Sequence, residues 1–169
     1  MSRVIHLKGG PALSDFRIEK LLSGLKAHGI VDLSAEFRYF VELKDELDQA
    51  ELAFLGELLR AEPHTPEADV VLVIPRLGTV SPWSSKASDI AANCGLGKVT
   101  RIEHGVRWTL AGKKGRRLPP EAIQAALPSL HDRMTESVLF DEVGAERLFH
   151  HVEPPPFQTV DILKGGKKA

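Results

Sequence analysis

Cysteine is almost absent from this chain of 169 residues, which holds only Cys94, and tyrosine, methionine and tryptophan are scarce, at one, two and two residues. A single thiol excludes an internal disulfide and any zinc site built from cysteines. Charge of one sign is missing as well, with 22 Lys and Arg against 23 Asp and Glu. No net positive field therefore exists to hold nucleic acid or an anionic membrane. Lys113, Lys114, Arg116 and Arg117 form the one dense basic group, which reads as a solvated, Gly-punctuated loop before Pro119-Pro120. Long apolar runs are also wanting: the opening run to Lys8 breaks at Gly9-Gly10-Pro11, too short for a signal peptide or a membrane span. The expectation is a soluble cytoplasmic protein with no nucleic-acid or membrane partner. At this length a compact domain would bury roughly 70 % of its unfolded surface, so a real core is within reach.

What is present is clear hydrophobic periodicity. Ile18, Leu21, Leu22 and Leu25 recur at helical spacing and predict a helix from about Ser14, its cap, to His28, stopped at Gly29. The period then changes to two. Val31, Leu33, Ala35, Phe37, Tyr39, Val41 and Leu43 share one face, against Asp32, Ser34, Glu36, Arg38 and Glu42, which makes a long half-buried strand. Asp48 caps a second helix with Glu51 three residues on, and Leu52, Leu55 and Leu59 line it before Pro63.

The second half repeats this order. Val70 to Ile74 is a strand, and Ser81 caps a helix whose apolar stripe is Trp83, Ala87, Ile90, Ala91 and Cys94, with Gly95 as its stop. An alternating strand follows, with Ile102, His104, Val106, Trp108 and Leu110 on one face and Arg101, Glu103, Arg107 and Thr109 on the other, before a helix near Glu121 to Ala126. An offset of 67 lays Ser14 on Ser81 and Leu43 on Leu110. This predicts an α+β fold of duplicated strand-helix-strand-helix units, pseudo-repeats of about 1–62 and 68–127, in a two-layer domain spanning 1–140. Similar lengths of unrelated elements would give the same overlay. Glu136 to Phe140 is expected as a further strand, and 141–169 as a short helix over Gly144 to His150 plus the start of an interdomain linker, stiffened by Pro154-Pro155-Pro156. Val160, Ile162 and Leu163, with nothing evident to pack on, suggest a reading frame cut short.

The candidate site is Pro75 to Ala87, read as strand, tight loop and helix start. Ser81 suits an N-cap and Pro82 the first helical position, and the free amides that follow, with Arg76 and Lys86 nearby, favour an anion. Arg76, Thr79, Ser81, Ser84, Ser85 and Lys86 are thus the candidates for contact with a phosphate or a neighbouring domain. The plainer alternative is a packing turn in which Ser81 only caps and Arg76 is solvated. No catalytic residue is assigned, because no nucleophile and base, or acid and base, can be placed together. Cys94 falls late on an apolar stripe and reads as core. Trp83 and Trp108 fall on buried faces and read as core aromatics. His131, His150 and His151 lack metal-ligand spacing, so no metal is expected.

Several strings together carry a family resemblance. Gly10 to Arg17, Pro75 to Ala87 with its continuation Ser88 to Leu96, Arg101 to Val106 and His131 to Glu136 resemble the start of the large, single-chain form of phosphoribosylformylglycinamidine synthase. The likeness runs in order along essentially the whole chain, and the string Pro82-Trp83-Ser84-Ser85-Lys86 after Ser81 is its most specific part. The resemblance implies a glutamine- and ATP-dependent ligase of purine biosynthesis, far longer than this chain, that converts formylglycinamide ribonucleotide into its amidine. It implies that this portion is the N-terminal domain, similar to a dimer of the small separate subunit of the split enzyme. That domain would contact the synthetase and glutaminase domains, help form the ammonia passage and border the ribonucleotide site. ATP, magnesium and the cysteine-histidine-glutamate triad would then belong to residues beyond Ala169, with no cofactor held here and no activity alone. A free-standing phosphate-binding or adaptor module is the other reading.

Overall fold

The computed structural model describes residues 3–150. Six strands, β1 (Arg3–Pro11), β2 (Asp32–Leu43), β3 (Glu62–Pro63), β4 (Ala68–Pro75), β5 (Val99–Ala111) and β6 (Glu136–Asp141), form one sheet in the order β3-β1-β2-β5-β4-β6. Every pairing is antiparallel. The α+β class expected from the periodicities is therefore observed. Four helices accompany the sheet: α1 (Asp15–Leu25), α2 (Gln49–Leu59), α3 (Pro82–Asn93) and α4 (Pro120–Leu130). The expected Pro-rich linker and the apolar end at 160–163 lie outside the described residues.

The helix boundaries follow from local chemistry. Asp48 and Glu51 form the reciprocal capping box that their spacing predicts, each side chain accepting the other's amide at 2.8 Å. At the start of α3 the Ser81 hydroxyl accepts the Ser84 amide at 3.0 Å. Ser14 occupies the equivalent place before α1 without a capping bond from its side chain. The turn Lys26–His28 continues α1 and ends at Gly29, whose φ of 79° only glycine adopts freely. Helix α4 runs through Pro128 to Leu130, beyond the expected end, because proline so near the C-terminus removes one late hydrogen bond and no more.

All four helices pack on one face of the sheet. Helices α1 and α4 cover Leu33, Ala35, Val71, Val73 and Trp108. Helices α2 and α3 cover Leu7, Val41, Leu43 and Ile102. Two readings of the α3 stripe need correction: Ile90 is 51 % exposed and Cys94, at the end of the helix, is exposed rather than core. The inward line runs through Ser84, Ala87, Ser88 and Ala91, so Ile90 and Cys94 fall on its flank. Ser88 faces inward for a reason, since its hydroxyl accepts the Ile102 amide at 3.0 Å and ties helix to strand. Trp108 is buried as expected, and Trp83 is half-buried at the edge of the stripe.

The second face, which the alternation of β2 suggests is polar, is also covered. A 3-10 segment, Val143–Phe149, lies where a short helix is expected and buries Ala145 and Leu148 against Phe40, Val70, Leu72 and Ile74. Beneath it Arg38 and Glu142 are both shielded from solvent and meet through Arg38 Nε and Glu142 Oε1 at 2.8 Å. Burial alone would raise the Glu142 pKa, but the Glu67 amide and the Arg38 guanidinium hold it below the ordinary carboxylate value.

Candidate functional site

The loop between β4 and α3 is a built structure. Arg76 donates its amide to the Thr135 carbonyl at 2.9 Å, and its own carbonyl accepts both the amide and the hydroxyl of Thr79, at 3.2 and 2.6 Å. Gly78, at φ 84°, supplies the positive φ that such a turn requires at its third residue. The chain then enters α3 through Ser81 and Pro82, the latter in the first turn where a missing N–H costs nothing.

A buried carboxylate holds the residue that caps α3. Glu103, fully buried on β5, accepts the Ser81 amide at 3.2 Å on Oε1 and the Ser81 hydroxyl at 2.8 Å on Oε2. Arg101 closes the group, with Nη2 at 2.5 Å from Glu103 Oε1 and 3.0 Å from the Thr79 carbonyl. The same guanidinium donates to the Leu148 carbonyl at 2.9 Å and stands 5.4 Å from the centre of the Phe149 ring. One ion pair, with its carboxylate fully buried and its guanidinium partly so, thus fastens the candidate loop, the start of α3 and the 3-10 segment together. The Glu103 carboxylate lies on the side of the positive helix end, with the Arg101 guanidinium balancing its charge.

Of the six candidates from sequence, the structure brings three together. Arg76, Thr79 and Ser81 line a cleft of about 450 Å³ with Val80, His104, Met134 and Glu136. Ser84 points into the protein, fully buried, its hydroxyl without a hydrogen-bond partner among the described residues. Ser85 and Lys86 are exposed and do not line the cleft. The rim is apolar as well as charged, with Val80 58 % and Met134 79 % exposed.

His104 forms the aromatic wall of this region. Its ring lies 4.2 Å from that of Trp83, with Tyr39 and Phe37 on its other sides at 6.3 and 5.7 Å. Burial pushes its pKa down, against a smaller opposing pull from Glu103, so the ring is neutral near pH 7. Burial likewise raises the Tyr39 phenol. Elsewhere, His131 Nδ1 is engaged by the Leu127 carbonyl at 2.7 Å, His150 is exposed, and His151 lies outside the described residues. A larger cavity of about 720 Å³ opens between α4 and the β4–β6 side of the sheet, floored by Val71, Trp108 and Ile123, with Arg117 and Asp69 at its rim.

Arg101, Glu103 and His104 were not named as site residues from the sequence. The alternation of β5 does place Glu103 and Arg101 on one face, but only the fold brings Ser81 to them. Among the described residues no helix is long and apolar enough to cross a membrane. The strings around this cleft, Pro75 to Ala87 and Arg101 to Val106, are those that carried the family resemblance, and comparison with known families agrees with it. The chain matches the formylglycinamide ribonucleotide amidotransferase N-terminal family over residues 36–149 and belongs to it, as the N-terminal domain of an amidotransferase, a ligase of purine biosynthesis.

Proposed function

We propose that this domain is a non-catalytic docking piece of the amidotransferase, and that the cleft of Arg76, Thr79 and Ser81 is a surface on which the synthetase and glutaminase domains are set. The observation that carries this reading is the Ser81–Glu103–Arg101 group. With Ser81 held by a buried carboxylate, the loop is a preformed surface with an apolar rim, which suits a protein partner better than a phosphate dianion. Lys86 and Ser85, on the outer flank of α3, extend that surface. In this reading the domain helps close the ammonia passage and reaches the edge of the ribonucleotide site. ATP, magnesium and the glutaminase triad act in other domains of a cytoplasmic enzyme, and this segment has no activity alone.

The strand order supports a duplicated origin. The order β3-β1-β2-β5-β4-β6 reads as three strands followed by three in mirrored sequence. At the offset of 67, Arg38 overlays Gly105, and these two residues are themselves cross-strand partners at the centre of the sheet. Two units related by a twofold axis through that pair, like the dimer of the small separate subunit, would give this register.

Complementation tests the docking role. The chain is added to a family amidotransferase that lacks its N-terminal portion, and glutamine-dependent, ATP-consuming formation of the amidine is followed. Restored turnover, weakened at least about tenfold in apparent affinity by Arg76→Ala with Lys86→Ala, is expected. No restoration, together with tight binding of inorganic phosphate that Arg76→Ala abolishes, would instead establish a free-standing phosphate module.

A further inference from the structure

The second face of the sheet carries a group that the docking role does not use. His64 and Glu67 lie in the connection leading from β3 to β4, and Glu142 opens the 3-10 segment. One ligand atom from each lies within 4.8 Å of the others. His64 Nε2 stands 2.9 Å from Glu142 Oε2 and 4.0 Å from Glu67 Oε1. Tetrahedral ligands at zinc distances of about 2.0–2.2 Å sit roughly 3.3 Å apart, so small side-chain rotations bring these three atoms onto one ion.

The outer contacts orient these atoms. Glu142 gives its other oxygen, Oε1, to Arg38 Nε at 2.8 Å, and Glu67 gives Oε2 to Arg107 Nη2 at 2.7 Å. Each arginine thereby turns a carboxylate so that the remaining oxygen faces His64, the role that outer-shell partners play at metal sites. The Glu67 amide, 3.0 Å from Glu142 Oε2, narrows the geometry further.

A second imidazole stands beside the group. His6 is 7 % exposed, and neither of its ring nitrogens has a hydrogen-bond partner among the described residues. Its carbonyl accepts the His64 amide at 2.9 Å, and its Nε2 is 3.5 Å from Glu146 Oε1 on the same 3-10 segment. Its ring also lies within electrostatic reach of Glu142 and His64. An unpartnered buried donor is costly unless something completes it.

We propose that His64, Glu67 and Glu142 form a divalent-cation site suited to zinc that staples the 3-10 segment to the sheet. Mixed imidazole and carboxylate ligands favour zinc over magnesium or calcium, which prefer all-oxygen shells. One side is open for entry and for a bound water, since the Glu67 side chain is 44 % exposed. The ion would join two stretches of chain about 75 residues apart, so its effect is on stability and on how firmly the segment after β6 is held.

The test uses the chain stripped with chelator and titrated with zinc by calorimetry, with cobalt as a spectroscopic substitute. One equivalent of zinc, a raised Tm and the visible absorption of four-coordinate cobalt are expected. Glu67→Ala changes an exposed side chain and should leave the fold intact while weakening zinc at least about tenfold, as should His64→Ala. His28→Ala, at an exposed histidine outside the group, should change nothing. No stoichiometric uptake, or uptake that Glu67→Ala and His64→Ala leave unchanged, overturns the site.

Discussion

Leu55 on one side of the sheet and Arg38 on the other are equally shut away from water, at 0 % and 1 % exposure, yet they are held there by different forces. The helix face is closed by burial of aliphatic surface, a non-directional attraction that tolerates small shifts and repeats along each strand. The opposite face is closed by Val143–Phe149, which adds to a smaller apolar cluster around Phe40 and Leu72 two sets of directed charges: Arg38 with Glu142, and Arg101 with Glu103 and Ser81. Directed pairs work only when every member is present, because each unpaired charge left behind is itself a penalty. The two faces should therefore fail differently.

The sharpest way to separate them is Arg38→Ala, which strands a buried Glu142 carboxylate. A loss of about 3–5 kcal/mol is expected in urea unfolding, largely recovered when Glu142→Leu is added to Arg38→Met. If the single change is mild, the second face is wetter than the geometry indicates. Leu55→Ala on the helix face should cost roughly 2–5 kcal/mol with no second-site partner able to recover it.

Gly105 lies beside Arg38 at the centre of the sheet, and a Cβ there would come within 2.6 Å of the Val73 carbonyl and 2.9 Å of Ile74 Cγ2. Because backbone is the nearer obstacle, Gly105→Ala should cost about 1–3 kcal/mol. Thermal melts that match the parent would show that the strands separate more easily than this register allows.

The two helix starts give a finer contrast. Ser81→Ala removes a cap and one donor to Glu103, and should destabilise by about 1–2 kcal/mol. Ser14→Ala, where the side chain caps nothing, should stay within about 0.5 kcal/mol. Equal effects would mean that Ser14 makes a bond in solution.

The smallest effect expected is a slope. Burial keeps the folded pKa of His104 below its unfolded value, so the unfolded chain binds more protons between the two. His104 thus lends full stability above about pH 6.5, and that stability declines as pH falls through the window below. His104→Phe, set among Trp83, Tyr39 and Phe37 and next to Glu103, should flatten the dependence of unfolding free energy on pH in that window. An unchanged slope would show that the ring titrates normally.

These contrasts also mark what could be read from the chain beforehand. The capping box at Asp48 and the Gly29 stop are local rules, and each holds; the alternation of β2 and β5 marks the helix-covered face but not the burial of Arg38, Phe40 and Glu103 on the other. The α3 stripe was misread at Ile90 and Cys94 because apolarity suggested an inward face, whereas the Ser88 bond to the Ile102 amide set the rotation of the helix. At the candidate site, the Ser81 cap and the turn before it were legible. The carboxylate beneath Ser81 was not, since Glu103 is 22 residues away and nothing in its neighbours signals the contact. His64, Glu67 and Glu142 were silent for the same reason.

By itself the order of residues determined the main strands and helices and the family, because periodicity, caps and motif strings act over a few consecutive positions. Only the tertiary structure decided which charges meet and what covers the second face: that Glu103 sits under Ser81, that Arg38 faces Glu142, and that Val143–Phe149 closes over Phe40 and Leu72. Hydrophobic faces need only a pattern to find a partner, whereas a buried charge needs one particular opposite charge, brought from far along the chain.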